Sequence, residues 1–186
     1  MQLPAEKLLF CDIETAGRGI ACPIIQIGAV AVDSRLRELE TFEVKIRFQL
    51  RFGTRKLPAA NCFEPAVWKR LARQPDEAAR LFADFLRRHA TVDMVSPRTG
   101  EPYRLAQLVA HNADFDGPRL RSWFRRQKQF LPASRRVFCT LQRAFWLFHE
   151  ETALTPPSDY RLATLCEYFG IPFGHADQHD ALADAR

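Results

Sequence analysis

The sequence has few of the features that mark secreted or membrane proteins. Its five cysteines include no CxxC pair, and an odd number without framework spacing argues against a disulfide scaffold. No apolar run approaches the roughly 18 residues of a membrane-spanning helix. The N-terminal stretch "MQLPAEKLLF" lacks the basic region and the long apolar region of a signal peptide. We therefore expect a cytoplasmic protein that has no contact with a membrane.

Lysine is scarce as well, because only five of the 27 basic residues are lysines and the others are arginines. Arginine suits bidentate contacts with phosphate groups, but a GC-rich genome produces the same bias and is its more frequent cause. The net charge of +5 is weak evidence for a polyanionic partner. Composition alone therefore leaves a nucleic-acid partner open.

The chain of 186 residues, 47% hydrophobic and 26% charged, is typical of one globular domain spanning residues 1–186. The first third favours β-structure, with strands predicted at Leu8–Ile13, Ile24–Val32 and Thr41–Leu50. Short loops between these strands favour an antiparallel meander.

The remaining residues alternate between helix and strand. "QPDEAARLFADFLRRH" carries acids at its start and bases at its end, which is typical of a helix. Short strands at 108–112 and 136–140 are each followed by a helical pattern. The result is an α/β protein with a mixed sheet and helices on both faces. Two stretches do not fit a minimal version: a basic loop at 51–61 and a strand–turn–strand at 91–105, which we interpret as insertions.

Three acidic motifs lie along this framework. Asp12 and Glu14, in "LLFCDIETAG", have the i, i+2 spacing that puts both carboxylates on one face of a strand. Two such carboxylates repel each other unless a hard cation lies between them. Alone, however, this spacing more often marks two solvated acids.

The other two motifs lie at predicted strand–helix junctions. "VAHNADFDGP" contains Asp114 and Asp116, and "HADQHDALADAR" contains two histidines and three acids. Each acid also has a simpler interpretation, since Asp116 or Asp180 could cap a helix N-terminus. Taken singly, each motif is therefore weak evidence for a metal site.

Taken together and in this order, the motifs resemble those of the DnaQ-like DEDDh 3′→5′ exonucleases, which include the polymerase III epsilon-type proofreading subunits and ribonuclease T. "PIIQIGAVAVD", "FCTLQRAF" and "YRLATLCEYFGIP" resemble further segments of that family, so the resemblance covers residues 8–186. It matches least well at 51–61 and 91–105. The resemblance implies a ribonuclease-H-like fold with a central sheet of five strands.

The resemblance also assigns roles. It makes Asp12, Glu14, Asp116 and Asp184 the metal-binding acids and His179 the catalytic histidine. Asp116 is preferred over Asp114 because it follows Phe in the H-N-A-x-F-D pattern. His175 and Asp180 also satisfy H-x4-D, but "HDALADA" matches the family around His179 and Asp184. The motif has Ala16 where a second Thr often stands. Predicted substrate contacts are Thr15, His111, Asn112 and Phe115.

The chemistry agrees with these roles. Two divalent ions can stabilise the attacking, transferring and leaving groups of phosphodiester hydrolysis, and hard ions such as Mg²⁺ or Mn²⁺ take oxygen ligands. The implied mechanism shares Asp12 between both ions, adds Glu14 and Asp184 on the side of the attacking water, and uses Asp116 for the second ion. His179 takes the proton, as an imidazole can near neutral pH.

We therefore expect a metal-dependent 3′→5′ exonuclease that acts on single-stranded DNA or RNA ends, with DNA slightly favoured, and releases nucleoside 5′-monophosphates. A DNA polymerase is a further candidate partner. The alternative is a catalytically weak or inactive nucleic-acid-binding or polymerase-accessory module of the same fold. Because the chain stops two residues after Asp184, we also expect that the natural protein is longer.

Overall fold

The computed structural model describes residues 7–17, 19–49, 63–174 and 179–186. The predicted basic loop at 51–61 and the alternative histidine, His175, lie outside the described residues. The described strands, in chain order, are β1 (Leu8–Thr15), β2 (Ile24–Val32), β3 (Glu38–Lys45), β4 (Val92–Val95), β5 (Pro102–Leu105), β6 (Gln107–Ala110) and β7 (Phe138–Cys139). The described helices are α1 (Pro65–Leu71), α2 (Pro75–Arg88), α3 (Ala113–Arg126), α4 (Thr140–Glu150), α5 (Leu162–Tyr168) and α6 (Ala181–Ala185).

Five strands form one mixed sheet in the order β3-β2-β1-β6-β7. The first three pair antiparallel, whereas β6 pairs parallel with both β1 and β7. This is the predicted combination of an antiparallel meander and parallel strands. The first strand of the chain is therefore the central strand of the sheet, bonded on both sides.

One face of the sheet carries the main hydrophobic core. Every residue of β2 is buried, and alternate residues of β1 and β2 enter this core. Two amphipathic helices, α2 and α3, cover this face, and their large buried side chains are Phe82, Phe85, Leu86, Leu120, Trp123 and Phe124. Burying such side chains supplies most of the favourable free energy of a fold like this one.

The opposite face of the sheet is covered in part by the short helix α6. Leu182 and Ala185 of α6 pack against Val30 and Val32 of β2 and the partly buried Phe10 of β1. The strand therefore has different neighbours on its two faces, and the residues that follow Phe10 on this second face are the acids of the first motif.

Several local predictions are confirmed. The stretch 91–105 contains the β4–β5 antiparallel hairpin, and α5 is followed, after its C-cap Phe169, by Gly170 in the left-handed conformation, with φ 67°. The N–H groups of Gly170 and Ile171 bond back to the carbonyls of Glu167 and Cys166, which is a Schellman ending. Other predictions differ from the structure. Helix α1 was not predicted, α3 begins three residues before Asp116, and β3 begins three residues and ends five residues earlier than expected.

The described cysteines, Cys11, Cys22, Cys139 and Cys166, are all free thiols. Within the described part of the chain, no helix is both long and apolar enough to cross a bilayer.

Candidate active site

The first two acids lie on the central strand, on the face opposite the main core. Asp12 and Glu14 follow Leu8 and Phe10 along the same side of β1, whereas Leu9, Cys11 and Ile13 enter the core. Glu14 is only 8% exposed, which is unusual for a carboxylate in the absence of a cation. The strand therefore carries both acids out of the core at one edge of a concave surface.

The third acid comes from the first turn of α3. The helix begins at Ala113 because Asn112, its N-cap, adopts a left-handed conformation with φ 59° and turns the chain sharply after β6. This turn leaves Asp114 exposed and buries Asp116, which is 2% exposed. Asp116 is therefore not the helix cap that its position before Gly117 and Pro118 suggested.

The last two residues of the proposed set are Asp184, in α6, and His179, which precedes the N-cap of that helix. His179 has φ 66°, and its backbone N–H faces the carboxylate of Asp184, five residues further on. His179 Nδ1 lies 3.9 Å from Glu14 Oε1. One donor atom from each of Glu14, His179 and Asp184 lies within 4.8 Å of the others. The structure thus brings the first and third motifs together.

Electrostatics show that the four acids form one cluster. Burial, followed by the charges of Asp116 and Asp184, raises the pKa of Asp12 well above its usual range. Burial, followed by the charge of Asp184, raises the pKa of Glu14 to about 8. Burial also raises the pKa of Asp116 to about 7 and that of Asp184 to about 6. Each carboxylate is thus unfavourable in the absence of a nearby positive charge.

The donor set fits a hard divalent cation. Two buried oxygens, Asp116 Oδ1 and Asp184 Oδ1, have no hydrogen-bond partner among the described residues. Buried oxygens without a donor are costly, and carboxylate oxygens are the ligands that Mg²⁺ and Mn²⁺ prefer. A cation between these acids would satisfy both oxygens and offset the mutual repulsion of the cluster.

Strand β2 holds α6 in place beside the acids. Gly28 pairs with Asp12 across the sheet, and a Cβ atom at Gly28 would lie 2.2 Å from the backbone of Ala181 and Leu182. Gln26 pairs with Glu14, and its side chain donates a hydrogen bond of 2.9 Å to Asp180, the N-cap of α6. The helix backbone therefore rests directly on the sheet.

A cavity of about 720 Å³ extends from the acids toward α4 and α5. Its wall contains His179 and Asp184 at one end and the aromatic pair of Phe145 and Tyr160 at the other. These two rings stack with their centroids 4.1 Å apart, and Phe145 remains 50% exposed. The cavity also reaches Asn112, Asp159 and Arg161. It therefore joins an acidic end to an aromatic and partly basic end.

The predicted substrate contacts fall into two groups. Asn112 and His111 line the cavity, and His111 contacts Thr140 Oγ1 and the Tyr160 carbonyl, each at 3.0 Å. Thr15 and Phe115 do not line it. Thr15 is buried and its hydroxyl donates to the Gly17 carbonyl at 2.7 Å.

Phe115 packs against the main core, and the guanidinium of Arg119 lies 3.5 Å from its ring centroid. The ring is thus partly covered by the protein itself.

Sequence reasoning missed the residues that hold α6 and those at the aromatic end of the cavity. Gln26 and Gly28 did leave a signal, because they interrupt an otherwise apolar and wholly buried strand. A buried amide and a glycine in a central strand often mark a close approach by another part of the chain. Phe145, Tyr160 and Arg161 left no comparable signal.

Comparison with known proteins bears on this arrangement. Residues 7–186 match the family described as the 3′-5′ exoribonuclease Rv2179c-like domain. The chain belongs to this family. The DnaQ-like 3′→5′ exonuclease resemblance drawn from the three motifs is therefore confirmed. No curated protein matches the chain.

Solved structures of exonuclease I share the fold of this Rv2179c-like domain. One, described as suggesting how processivity is achieved, has a TM-score of 0.73 and 17% identity, with 97% of this chain matching 38% of that one. The E. coli enzyme with a dA16 oligonucleotide has a TM-score of 0.69 and 20% identity over 97% of this chain and 38% of that one.

A complex of exonuclease I with SSB-Ct, at 18% identity and a TM-score of 0.69, matches 98% of this chain and 40% of that one. The chain spans about two fifths of the length of these proteins. The likeness confirms the ribonuclease-H-like fold predicted from the sequence.

Proposed function

We propose that this protein is a metal-dependent 3′→5′ exonuclease that hydrolyses single-stranded nucleic acid from its 3′ end. The observation that carries the proposal is the convergence of Asp12, Glu14, Asp116 and Asp184 beside His179. The 3′→5′ direction is that of the Rv2179c-like family.

The four acids are the proposed ligands of Mg²⁺ or Mn²⁺, two ions for each site. The unpartnered oxygens of Asp116 and Asp184 and the raised pKa of Glu14 support this assignment. Bound divalent ions supply Lewis-acid polarisation of the phosphate group and a more acidic water. The cysteines take no part, because hard cations prefer oxygen.

His179 is the proposed general base. Its imidazole is half exposed, lines the cavity and faces Glu14, so it can reach a water beside the acids. In the proposed reaction the oxygen of a water bonds to phosphorus, and the bond from phosphorus to the 3′-oxygen of the preceding nucleotide breaks. His179 takes the proton from the water, and the departing 3′-oxygen takes a proton from solvent. The products are a nucleoside 5′-monophosphate and a chain with a new 3′-hydroxyl.

The cavity supports an unpaired substrate. Its aromatic end offers the exposed ring of Phe145, and bases of a single strand stack on such rings without regard to sequence. Arg161, at the same end, can contact a phosphate. A base-paired end would keep its bases stacked on one another and away from this wall.

The sugar preference is open to direct test. The resemblance drawn from the motifs favours DNA slightly, whereas the Rv2179c-like family is one of exoribonucleases. Exonuclease I structures, which share only the fold, hold DNA oligonucleotides. We therefore propose both RNA and DNA 3′ ends as substrates. The cytoplasmic location and a polymerase partner also stay predictions.

The test uses single-stranded DNA and RNA oligonucleotides labelled at either end, with Mg²⁺, Mn²⁺ or EDTA. We expect the 3′ label to be released first as a mononucleotide, and EDTA to stop its release. Asp12→Ala should abolish cleavage. The rates on the two substrates then give the sugar preference.

Asp114→Ala is the matched control, since Asp114 is an exposed acid in the same motif as Asp116. It should cleave at the wild-type rate. Wild-type protein that binds both strands but cleaves neither under any metal would contradict the proposal and favour a binding module.

A further inference from the structure

Three polar side chains form a row across the sheet beneath α6. Glu14 of β1 pairs with Gln26 of β2, and Gln26 pairs with Lys45 of β3. Directly paired residues of neighbouring strands lie on the same face of a sheet. Gln26 therefore stands between a proposed metal ligand and a lysine, with α6 above it.

The amide nitrogen of Gln26 uses both of its hydrogens. Nε2 donates to Asp180 Oδ2 at 2.9 Å and to Glu43 Oε1 at 3.0 Å, and Lys45 also binds the Glu43 carboxylate. Gln26 is only 1% exposed, so water does not compete for these bonds. A neutral amide thus separates two carboxylates that would otherwise face each other.

Asp180 connects this amide to the helix. Its other oxygen, Oδ1, accepts from the backbone N–H groups of Leu182 at 3.1 Å and Ala183 at 3.2 Å. Its carbonyl accepts from the N–H of Asp184 at 2.9 Å. The position of Asp180 therefore determines where α6 begins and where the Asp184 side chain lies.

We propose that Gln26 is a positioning residue that fixes His179 and Asp184 over the acids of β1 by holding the N-cap carboxylate of α6. The proposal rests on the proposed function only for the identity of these two residues as site residues. Gln26 itself touches neither substrate nor metal in this proposal.

The length of α6 explains why such a contact is needed. A helix of five residues has almost no stability of its own. Its position must come from contacts with the sheet. These include the backbone contact at Gly28, the apolar contacts of Leu182 and Ala185, the Gln26–Asp180 bond, and the exposed ion pair of Arg186, the C-cap, with Glu38 of β3. The Gln26–Asp180 bond is the directional contact at the end nearest His179, whereas the Arg186–Glu38 pair lies at the far end of the helix.

The experiment compares Gln26→Glu with the double variant Gln26→Glu/Asp180→Asn. Glutamate at position 26 cannot donate when ionised and would place a third carboxylate beside Asp180 and Glu43. Asparagine at position 180 restores a donor–acceptor pair in the reverse sense, and it caps helices as well as aspartate does.

Two readouts are needed. The first is the affinity for Mn²⁺ by isothermal titration, which we expect to fall about tenfold in Gln26→Glu, as for loss of other outer-shell contacts. The second is hydrogen exchange of residues 179–186 by mass spectrometry without metal, which we expect to become faster. The double variant should regain most of both.

Gln107→Glu is the matched control. Gln107 is another buried glutamine of the sheet, whose amide donates to the carbonyls of Leu108 and Arg136. It should lower the urea midpoint at least as much as Gln26→Glu while leaving exchange in 179–186 unchanged.

Wild-type exchange of residues 179–186 in Gln26→Glu would overturn the proposal, as would a double variant that regains nothing. These exchange results do not depend on activity. Absence of Mn²⁺ binding and cleavage in the wild type would instead contradict the proposed function, and the exchange data would still decide the role of Gln26.

Discussion

Asp12 and Glu14 lie on the central strand of a five-stranded sheet, whereas Asp184 lies on a helix of five residues. The strand pairs with β2 along its whole length, including Asp12 and Glu14, and with β6 as far as Phe10, and its apolar residues pack into the main core. Its acids are therefore held by the sheet. The helix depends on a few contacts with the sheet surface. One half of the proposed site is therefore set by the core, and the other half by local contacts.

Because of this difference, some mutations should change the stability of the fold, whereas others should change only the geometry of the proposed site. Changes near β1 disturb the core and the site together, because its alternate residues belong to both. Changes at Gln26 and Gly28, the residues of β2 that contact the start of α6, can move His179 and Asp184 while the main core remains intact. The two halves should consequently respond differently to mutation.

The largest effect is expected at Asp116, a buried residue of α3 and a proposed metal ligand. Asp116→Asn should reduce cleavage by more than about a hundredfold, since outer-shell partners alone account for 10–100-fold. Initial rates on a labelled oligonucleotide measure this. Asp114→Asn should leave the rate unchanged. Equal losses in both variants would mean that burial of Asp116 has no functional meaning.

The next largest effect is expected at Gly28, where the backbone of α6 contacts β2. In Gly28→Ala the new Cβ meets helix backbone at 2.2 Å, so α6 must shift away from the sheet. We expect cleavage to fall by about 10–100-fold, with circular dichroism of the sheet unchanged. In Gly19→Ala the nearest contact is Cys22 Sγ at 3.6 Å, and this variant should match the wild type.

Wild-type cleavage by Gly28→Ala would contradict the importance that we give to the position of α6.

A smaller effect is expected at the aromatic end of the cavity. Phe145→Ala should reduce kcat/KM on oligonucleotides by about tenfold, because one stacked base contributes roughly 1–3 kcal/mol. A p-nitrophenyl ester of a single nucleotide, which does not reach this end, should be cleaved as before. Trp146→Ala is the control, since Trp146 is the next residue, is also an exposed aromatic side chain and does not line the cavity.

A loss on both substrates in Phe145→Ala would instead indicate a structural role for the ring.

The smallest effect concerns Glu14 of β1 and the pH dependence of the free energy of unfolding. Burial raises the pKa of Glu14 to about 8, so the metal-free folded protein keeps a proton that the unfolded chain releases near pH 4.5. The free energy of unfolding should therefore fall as the pH rises from about 5 to 8. The slope should be smaller in Glu14→Gln, by on the order of 1 kcal/mol over that range.

Urea unfolding in EDTA at several pH values measures this slope. Parallel curves for wild type and Glu14→Gln would show that burial does not disfavour the Glu14 charge.

Parts of the fold could be predicted because local signals agreed with the final packing. β2 has the predicted bounds, since an apolar run between Pro23 and Asp33 is buried throughout. β3 begins earlier, at Glu38, because pairing with Val32 of β2 decides its start and its exposed glutamates give no strand signal. Beyond Lys45 the alternation continues, but Ile46 makes only a single bridge, with Arg73.

The motifs predicted which acids would lie together, but they did not predict the contacts that hold α6 beside the sheet. The Gln26–Asp180 bond joins residues 154 positions apart, and nothing in either local sequence indicates the partner. The turn at Asn112 was missed for a related reason. Its left-handed conformation lets α3 begin at Ala113, whereas the proline at position 118 had suggested a start nearer to Asp116.

The two hydrogen bonds of His111 fix its tautomer and distinguish its role from that of His179. A carbonyl oxygen can only accept, so Nε2 must carry the hydrogen that bonds to Tyr160, and Nδ1 then accepts from the hydroxyl of Thr140. Burial lowers the pKa of His111 and keeps this neutral tautomer. The ring is thus a brace between the end of β6 and the loop before α5. Among the described histidines that line the cavity, this leaves His179 as the proposed general base.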